Sequence, residues 1–197
     1  MKDRIRFHAL RLFDSKGFHG TSMRDIGDAA GCSMPTLYHH YGSKENLFDE
    51  VVRVAYIQSL EANRKLLPDK MTPEHYCAEV AIQRKNLTED ERLVHRLAMK
   101  TWLGCEGCDA VRQSILDWES ARFARNAQLL SDVIVSPAWV RIITRAFSNI
   151  IERIVLLDED ISDAEIREEM RLLFKAATKK SGTKKGGGKK GGNKKAD

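Results

Sequence analysis

Apolar residues recur three and four positions apart along nearly the whole chain, which is the spacing of one face of a helix. Ile5, Ala9, Leu12 and Phe13 form the first such face, widened by Phe7 and Leu10. Gly17 closes it, and Phe18 packs back in the manner of a helix C-terminus. Ile26, Ala29 and Ala30 mark a second, short helix that Ser22 caps, with Asp25 completing a capping box. Gly31-Cys32 ends it and turns the chain, since glycine takes a positive φ at little cost. Ser33 is the next N-cap, and Pro35 falls in the first turn, where its missing N–H breaks no helical bond. Gly42 stops that third helix, and Ser43 caps a fourth. This fourth helix runs from Lys44 to about Leu67 on Leu47, Phe48, Val51, Val52, Ala55 and Leu60, and Pro68 ends it.

The same grammar continues to the end. Thr72-Pro73 opens a helix reaching Asn86, and Thr88 opens another that breaks at Gly104–Gly107. Cys108 or Asp109 starts a long helix to about Val135, with Val111, Ile115, Trp118, Phe123, Leu130 and Ile134 in its stripe. Ser136-Pro137 starts a helix to about Leu157 that is apolar nearly all round, and Ser162 caps a last one over 163–177. The pattern thus predicts an all-α chain of about nine helices with no strand. A helix as apolar as 138–157 needs burial on more than one side. Two copies of it and its neighbour would form a four-helix bundle across a two-fold axis, though a central core helix would carry the same pattern.

Residues 21–47 carry the clearest functional signal. A short helix, a tight turn and a second short helix make a helix-turn-helix, whose second helix enters the DNA major groove. In that helix Leu37 is the buried anchor, while Thr36, Tyr38, His39 and His40 are compact donors and acceptors suited to base edges or phosphates. The hydroxyls of Thr21, Thr36 and Tyr38 are expected on phosphate, and His39 faces either a base or solvent. Lys44 adds a positive charge beside a helix N-terminus that already favours phosphate.

The run Thr21-Ser22, Arg24-Asp25-Ile26, Ala29-Ala30-Gly31, Ser33, Pro35-Thr36-Leu37-Tyr38, His40, Tyr41 and Ser43-Lys44-Glu45-Asn46-Leu47 resembles the DNA-binding domain of TetR-family transcriptional repressors. Ala9, Phe13, Gly17 and Phe18 fit that family's first helix, and Gly27, Cys32 and Tyr41 are mild departures. The resemblance implies Thr36, Tyr38, His40 and Lys44 as DNA contacts, with Ser33, Pro35 and His39 beside them. It also implies a homodimer on a palindromic operator in double-stranded DNA, and a small-molecule effector bound among the middle helices. His95, Met99, Trp102, Trp118 and Phe123 are the pocket candidates there, with plain core packing as the competing reading. The expected division is a DNA-binding domain at 1–47, an effector-binding and dimerisation domain at 48–178, and a disordered basic tail at 179–197.

Composition adds a few limits. The chain has 197 residues, 42% hydrophobic and 31% charged. Its net charge of +5 is unevenly spread: residues 179–197 hold eight Lys and one Asp, while residues 49–178 hold 18 Lys/Arg against 22 Asp/Glu. The middle is therefore a poor nucleic-acid surface and the two ends are better ones. The Lys/Gly tail is expected to attract phosphates without reading sequence, or merely to aid solubility. That tail leaves open a largely sequence-independent, nucleoid-type DNA binder. Cys105 and Cys108 leave open a thiol- or metal-responsive regulator, although a lone C-x₂-C lacks the second half of a structural zinc site. No nucleophile elbow, P-loop, HExxH or dinucleotide motif is present, so no enzyme activity, resident metal or cofactor is expected. The first residues alternate charged with apolar and no stretch reaches 18 apolar residues, so the cytoplasm is the expected compartment and no membrane partner is implied.

Overall fold

The computed structural model describes residues 1–68 and 70–179, and all regular structure among them is helical. Nine helices follow one another: α1 (Lys2–Gly20), α2 (Met23–Ala30), α3 (Met34–Tyr41), α4 (44–65), α5 (Pro73–Gln83), α6 (Glu89–Trp102), α7 (Asp109–Ser131), α8 (Pro137–Leu156) and α9 (Asp163–Lys179). The basic tail, apart from the helical Lys179, lies outside the described residues.

Local chemistry explains most of the boundaries. Ser22, Ser33, Ser43, Thr72 and Thr88 each accept a backbone N–H three residues on, satisfying one of the orphan donors of a helix start. Ser22 with Asp25 and Thr88 with Glu91 form complete capping boxes. Gly17 interrupts α1 at φ 74, ψ 169, and one further turn carries the chain to Gly20. Two expectations shift. Helix α7 stops at Ser131 rather than Val135, and the unwound Ile134 is nonetheless buried. Helix α4 is continuous, but its Glu50–Val54 turn is π-helical.

Two hydrophobic clusters form the interior. The first joins α1–α4 to Val94, Leu97 and Ala98 of α6 and to Val111 and Ile115 of α7. The second joins α5, α8 and α9 around Ile143, Ile150, Ile166 and Met170, with Met99 reaching it from the far side of α6. Helix α6 is thus the wall between the clusters. Residue 47 does not mark a gap in the packing, because Leu47 and Phe48 are both fully buried in the first cluster. The expectation that α8 is apolar all round is corrected: Ile142 is half exposed, but it shares the open side with Arg141, Arg145 and Asn149.

The loop between α6 and α7 ties the amino-terminal helices to the body. Glu106 Oε1 accepts the backbone N–H of Phe18 at 2.5 Å and that of Gly107 at 3.0 Å. Arg11 adds an ion pair to Asp90 at 2.7 Å. Beside the loop, Phe48 meets the rings of Phe13 and Phe18 edge-on, each at 5.0 Å between centroids. Gly107 has φ +89, and a Cβ there would stand 2.8 Å from Phe48 Cε1 and 2.9 Å from Thr101 Cγ2. Strain and overpacking act together at this position. Gly107→Ala is expected to cost about 2–4 kcal/mol, measured by urea denaturation. Gly20→Ala, whose added Cβ meets only Lys16 Cβ at 3.5 Å, is the control and should change stability little.

Candidate nucleic-acid interface and inner cavity

Helix α3 is pinned from beneath by Leu37, which is fully buried, and by Tyr41. The glycine at 27 is matched to its partner, since a Cβ there would lie 3.3 Å from Met34 Sδ and 3.4 Å from Cys32 O. This close seating turns Ser33, Pro35, Tyr38 and His39 to solvent, with Thr36 and His40 half-buried beside them. Tyr38 is 48% exposed, which is unusual for a large ring that no partner covers. Thr36 serves its own helix as well, because its hydroxyl lies 2.8 Å from that of Ser33.

Two residues expected on DNA are placed differently. Thr21 is buried, and its hydroxyl donates to Gly17 O at 2.8 Å and Leu12 O at 3.1 Å. Lys44 Nζ donates to Phe18 O at 2.8 Å and Thr21 O at 3.0 Å, and it sits 4.2 Å from the centroid of the Phe18 ring. The cause is the same for both. Carbonyls at the Gly17 break and at the end of α1 are short of helical donors, and a hydroxyl and an ammonium supply further ones. Lys44 retains one N–H of its three for anything outside. Sequence reasoning passed over His19, Gly20, Ser22 and Arg24, which with Tyr38 and Lys44 line a groove at the start of α2. Their signal was available: they precede or open a helix N-terminus, where free N–H groups favour an anion. Phosphate along this groove and base edges against the exposed side of α3 are what the face can accommodate. Because Lys44 closes the end of α1, Lys44→Met is expected to lower stability by about 1–2 kcal/mol, read as a lower melting temperature by circular dichroism.

The second feature is an inner cavity of about 40 Å³ between α4, α6, α7 and α8. His95, Met99, Trp102 and Phe123 line it. Trp118 stands outside the lining, with its ring 6.1 Å from that of Tyr56. The structure adds polar walls that periodicity did not show. Tyr56 donates to Glu119 Oε1 at 2.8 Å, and Arg122 donates to Glu119 Oε2 through Nε at 2.9 Å and Nη2 at 2.5 Å. Arg84 also lines the space. Burial, and then the negative charge of Glu119, push the Tyr56 phenol above its ordinary range. His95 Nε2 lies 3.0 Å from Ser59 Oγ, and the imidazole is 1% exposed.

Cys105 is exposed and Cys108 half-buried, while Cys77 is buried in the second cluster, where desolvation pushes its thiol up to about 12. Cys108 packs against the first cluster, so Cys77 does not join the C-x₂-C. Among the described residues no group of three His, Cys, Asp or Glu side chains is arranged to hold a metal.

Burial, with Arg84 and Arg92 nearby, brings the His95 pKa down to about 3. The unfolded imidazole titrates near 6.5. Between those values the unfolded chain binds the extra proton, so this contribution is complete above about pH 6.5 and is lost as pH falls toward 3. Unfolding free energy should therefore drop by up to about 1.4 kcal/mol per pH unit from this group. His95→Gln should flatten that dependence between about pH 6.5 and 5, a window that mostly precedes carboxylate titration. Denaturant titrations at several pH values check this.

Comparison with known proteins agrees with this geometry. Residues 7–51 match the family of bacterial regulatory proteins of the tetR type. The HTH-type transcriptional repressor KstR2 of Rhodococcus jostii (strain RHA1) is 49% identical over 45 residues, which are 23% of this chain and 22% of that protein. Such matches to curated relatives span less than a third of the relatives' own length. The whole architecture is similar to a TetR-like transcriptional regulator from Rhodococcus sp. RHA1, with a TM-score of 0.66 and 19% identity over 92% of this chain and 96% of that one. It is equally similar to the multidrug binding protein EbrR solved with malachite green, with a TM-score of 0.66 and 17% identity over 88% of this chain and 97% of that one. The amino-terminal helices thus match the tetR-type helix-turn-helix over residues 7–51, and the all-helical chain shares its fold with the solved TetR-like regulator.

Proposed function

We propose that the chain is a dimeric, site-specific DNA-binding transcriptional regulator, a repressor released from a palindromic operator by a small molecule taken into the inner cavity. One observation carries the reading. Helix α4 starts with Lys44 against the DNA-reading helices and passes Tyr56 and Leu60 along the cavity wall without a break. Its 22 residues span about 33 Å. Anything that forces the cavity open bears on the same rigid rod that holds α3. EbrR, a neighbour in fold, was solved in complex with malachite green, which supports a ligand role for such a body.

The dimer reading rests on α8 and α9, the last pair in the chain. Two copies would set their α3 helices against successive major grooves, which requires a separation of about 34–36 Å. A ligand that stabilises a different separation lowers operator affinity, provided it binds the released form more tightly. Among the described residues no helix is long and apolar enough to cross a membrane. In this reading residues 1–47 read DNA and residues 48–178 pair the subunits and bind the effector.

Selection of bound sequences from a random DNA pool by the full chain tests the proposal. A two-fold symmetric sequence with half-sites one helical turn apart, or a multiple of it, is the expected product. Tyr38→Ala should weaken binding to that sequence at least tenfold, while the melting temperature stays within a degree or two. A pool that yields no enriched sequence refutes site-specific regulation.

A further inference from the structure

Arg84 begins the short 3₁₀ turn after α5 and is 4% exposed, yet no hydrogen bond or ion pair to its guanidinium exists among the described residues. Its Nη1 is fully enclosed and without a partner. Arginine does not discharge inside proteins, so it cannot escape this position by losing its proton. A buried guanidinium whose N–H donors are unmade is costly, because those donors have given up water without a replacement, even with the Glu119 charge acting on it from a distance.

The neighbouring acid is already committed. Both carboxylate oxygens of Glu119 accept bonds, one from Tyr56 and the other from Arg122. Arg122 is therefore hydrogen-bonded to the carboxylate, whereas Arg84 feels its charge without a direct bond. Glu152 also lines the space but belongs to α8, where it is half-buried. The rest of the wall is largely apolar, with Met99, Trp102, Ile115 and Phe123 facing inward.

We infer that the cavity binds an organic monocarboxylate, with the carboxylate paired to Arg84 and an apolar body against Met99, Trp102 and Phe123. This inference rests on the cavity being the effector site, and it names the chemical class of the effector. A guanidinium presents two parallel N–H donors that match a carboxylate. A dianionic phosphate would bring a second charge to a wall with one uncommitted buried cation. At about 40 Å³ the space has room for no more than a few waters. An acid with a ring or a short chain therefore has to part α4 from α6–α8 as it enters, and this connects ligand chemistry to the rod that carries α3.

The test uses the full chain with octanoate and phenylacetate, their primary amides octanamide and phenylacetamide, and the amines octylamine and phenethylamine. Binding is read by calorimetry and thermal shift, and operator affinity is read in parallel. Expected are binding of at least one acid at least tenfold tighter than its amide, no binding of the amines, and collapse of the acid-over-amide preference in Arg84→Met. That variant should itself be folded and at least as stable as the parent without ligand, since it removes a buried unpaired charge. Arg84→Lys should keep part of the preference. Equal binding of acid and amide, a preference for the amines that would point to Glu152 instead, or no carboxylate preference anywhere in the panel overturns the inference. So does an Arg84→Met protein that unfolds, because the guanidinium would then be a structural partner. Acids that bind through Arg84 but leave operator affinity unchanged uphold the ligand class and refute the effector role. Neutral ligands that release the operator where acids do not uphold the effector role and refute the ligand class.

Discussion

The exposed face of α3 depends on the seat of Phe48. Its ring is fully buried, edge-on to Phe13 and Phe18, and its far side is covered by the backbone of Gly107 from the body. Three elements distant in sequence therefore share one contact. A three-helix unit of under 50 residues is marginal by itself, because too little of its surface can be buried. Here it completes its interior with Val94 and Leu97 of α6 and with Val111 and Ile115 of α7. The orientation of α3 is consequently a property of the whole molecule and not of its first helices alone.

The polar side of the same interface is held by a buried network. Tyr56 on α4 donates to Glu119 on α7, and Glu119 is held in turn by Arg122. In a low-dielectric interior each of these groups is expensive to leave unmatched. Sliding α4 along α7 by a small amount would strand the carboxylate, so intermediate positions are disfavoured.

Much of this was legible along the chain. Helix starts were marked by Ser22, Ser33, Ser43, Thr72 and Thr88, because a cap is a local interaction among residues three apart. The reading helix was legible for the same reason: Leu37 inward and Tyr38 outward follow from helical spacing. The structural bonds of Thr21 and Lys44 could not be read ahead, because their partners are the carbonyls of Gly17, Leu12, Phe18 and Thr21, and backbone carbonyls leave no mark in a sequence. Four of the five aromatic, histidine and methionine candidates came together around the cavity, since they lay on the inward stripes of α6 and α7. Arg84 and Glu119 were missed because periodicity treats a charge as outward. Only tertiary structure shows that Glu119 is answered by Tyr56, 63 residues away, and that Arg84 Nη1 is enclosed without a hydrogen-bond partner.

The π-helical turn Glu50–Val54 sets the phase of α4. A π turn accommodates one more residue than an α turn over the same rise, and each residue in a helix advances the direction of its side chain by about 100°. The turn lies between Phe48, which faces the amino-terminal helices, and Tyr56, which faces the cavity. The two ends of the rod are therefore matched in azimuth by a single extra residue. A chain one residue shorter in that turn, wound as plain α-helix, would keep every cap, yet would aim Tyr56 away from Glu119 and out of the first cluster whenever Phe48 is seated. Length variation in this turn is thus a route by which related sequences can change how the amino-terminal helices and the cavity are phased against each other while every helix cap stays the same.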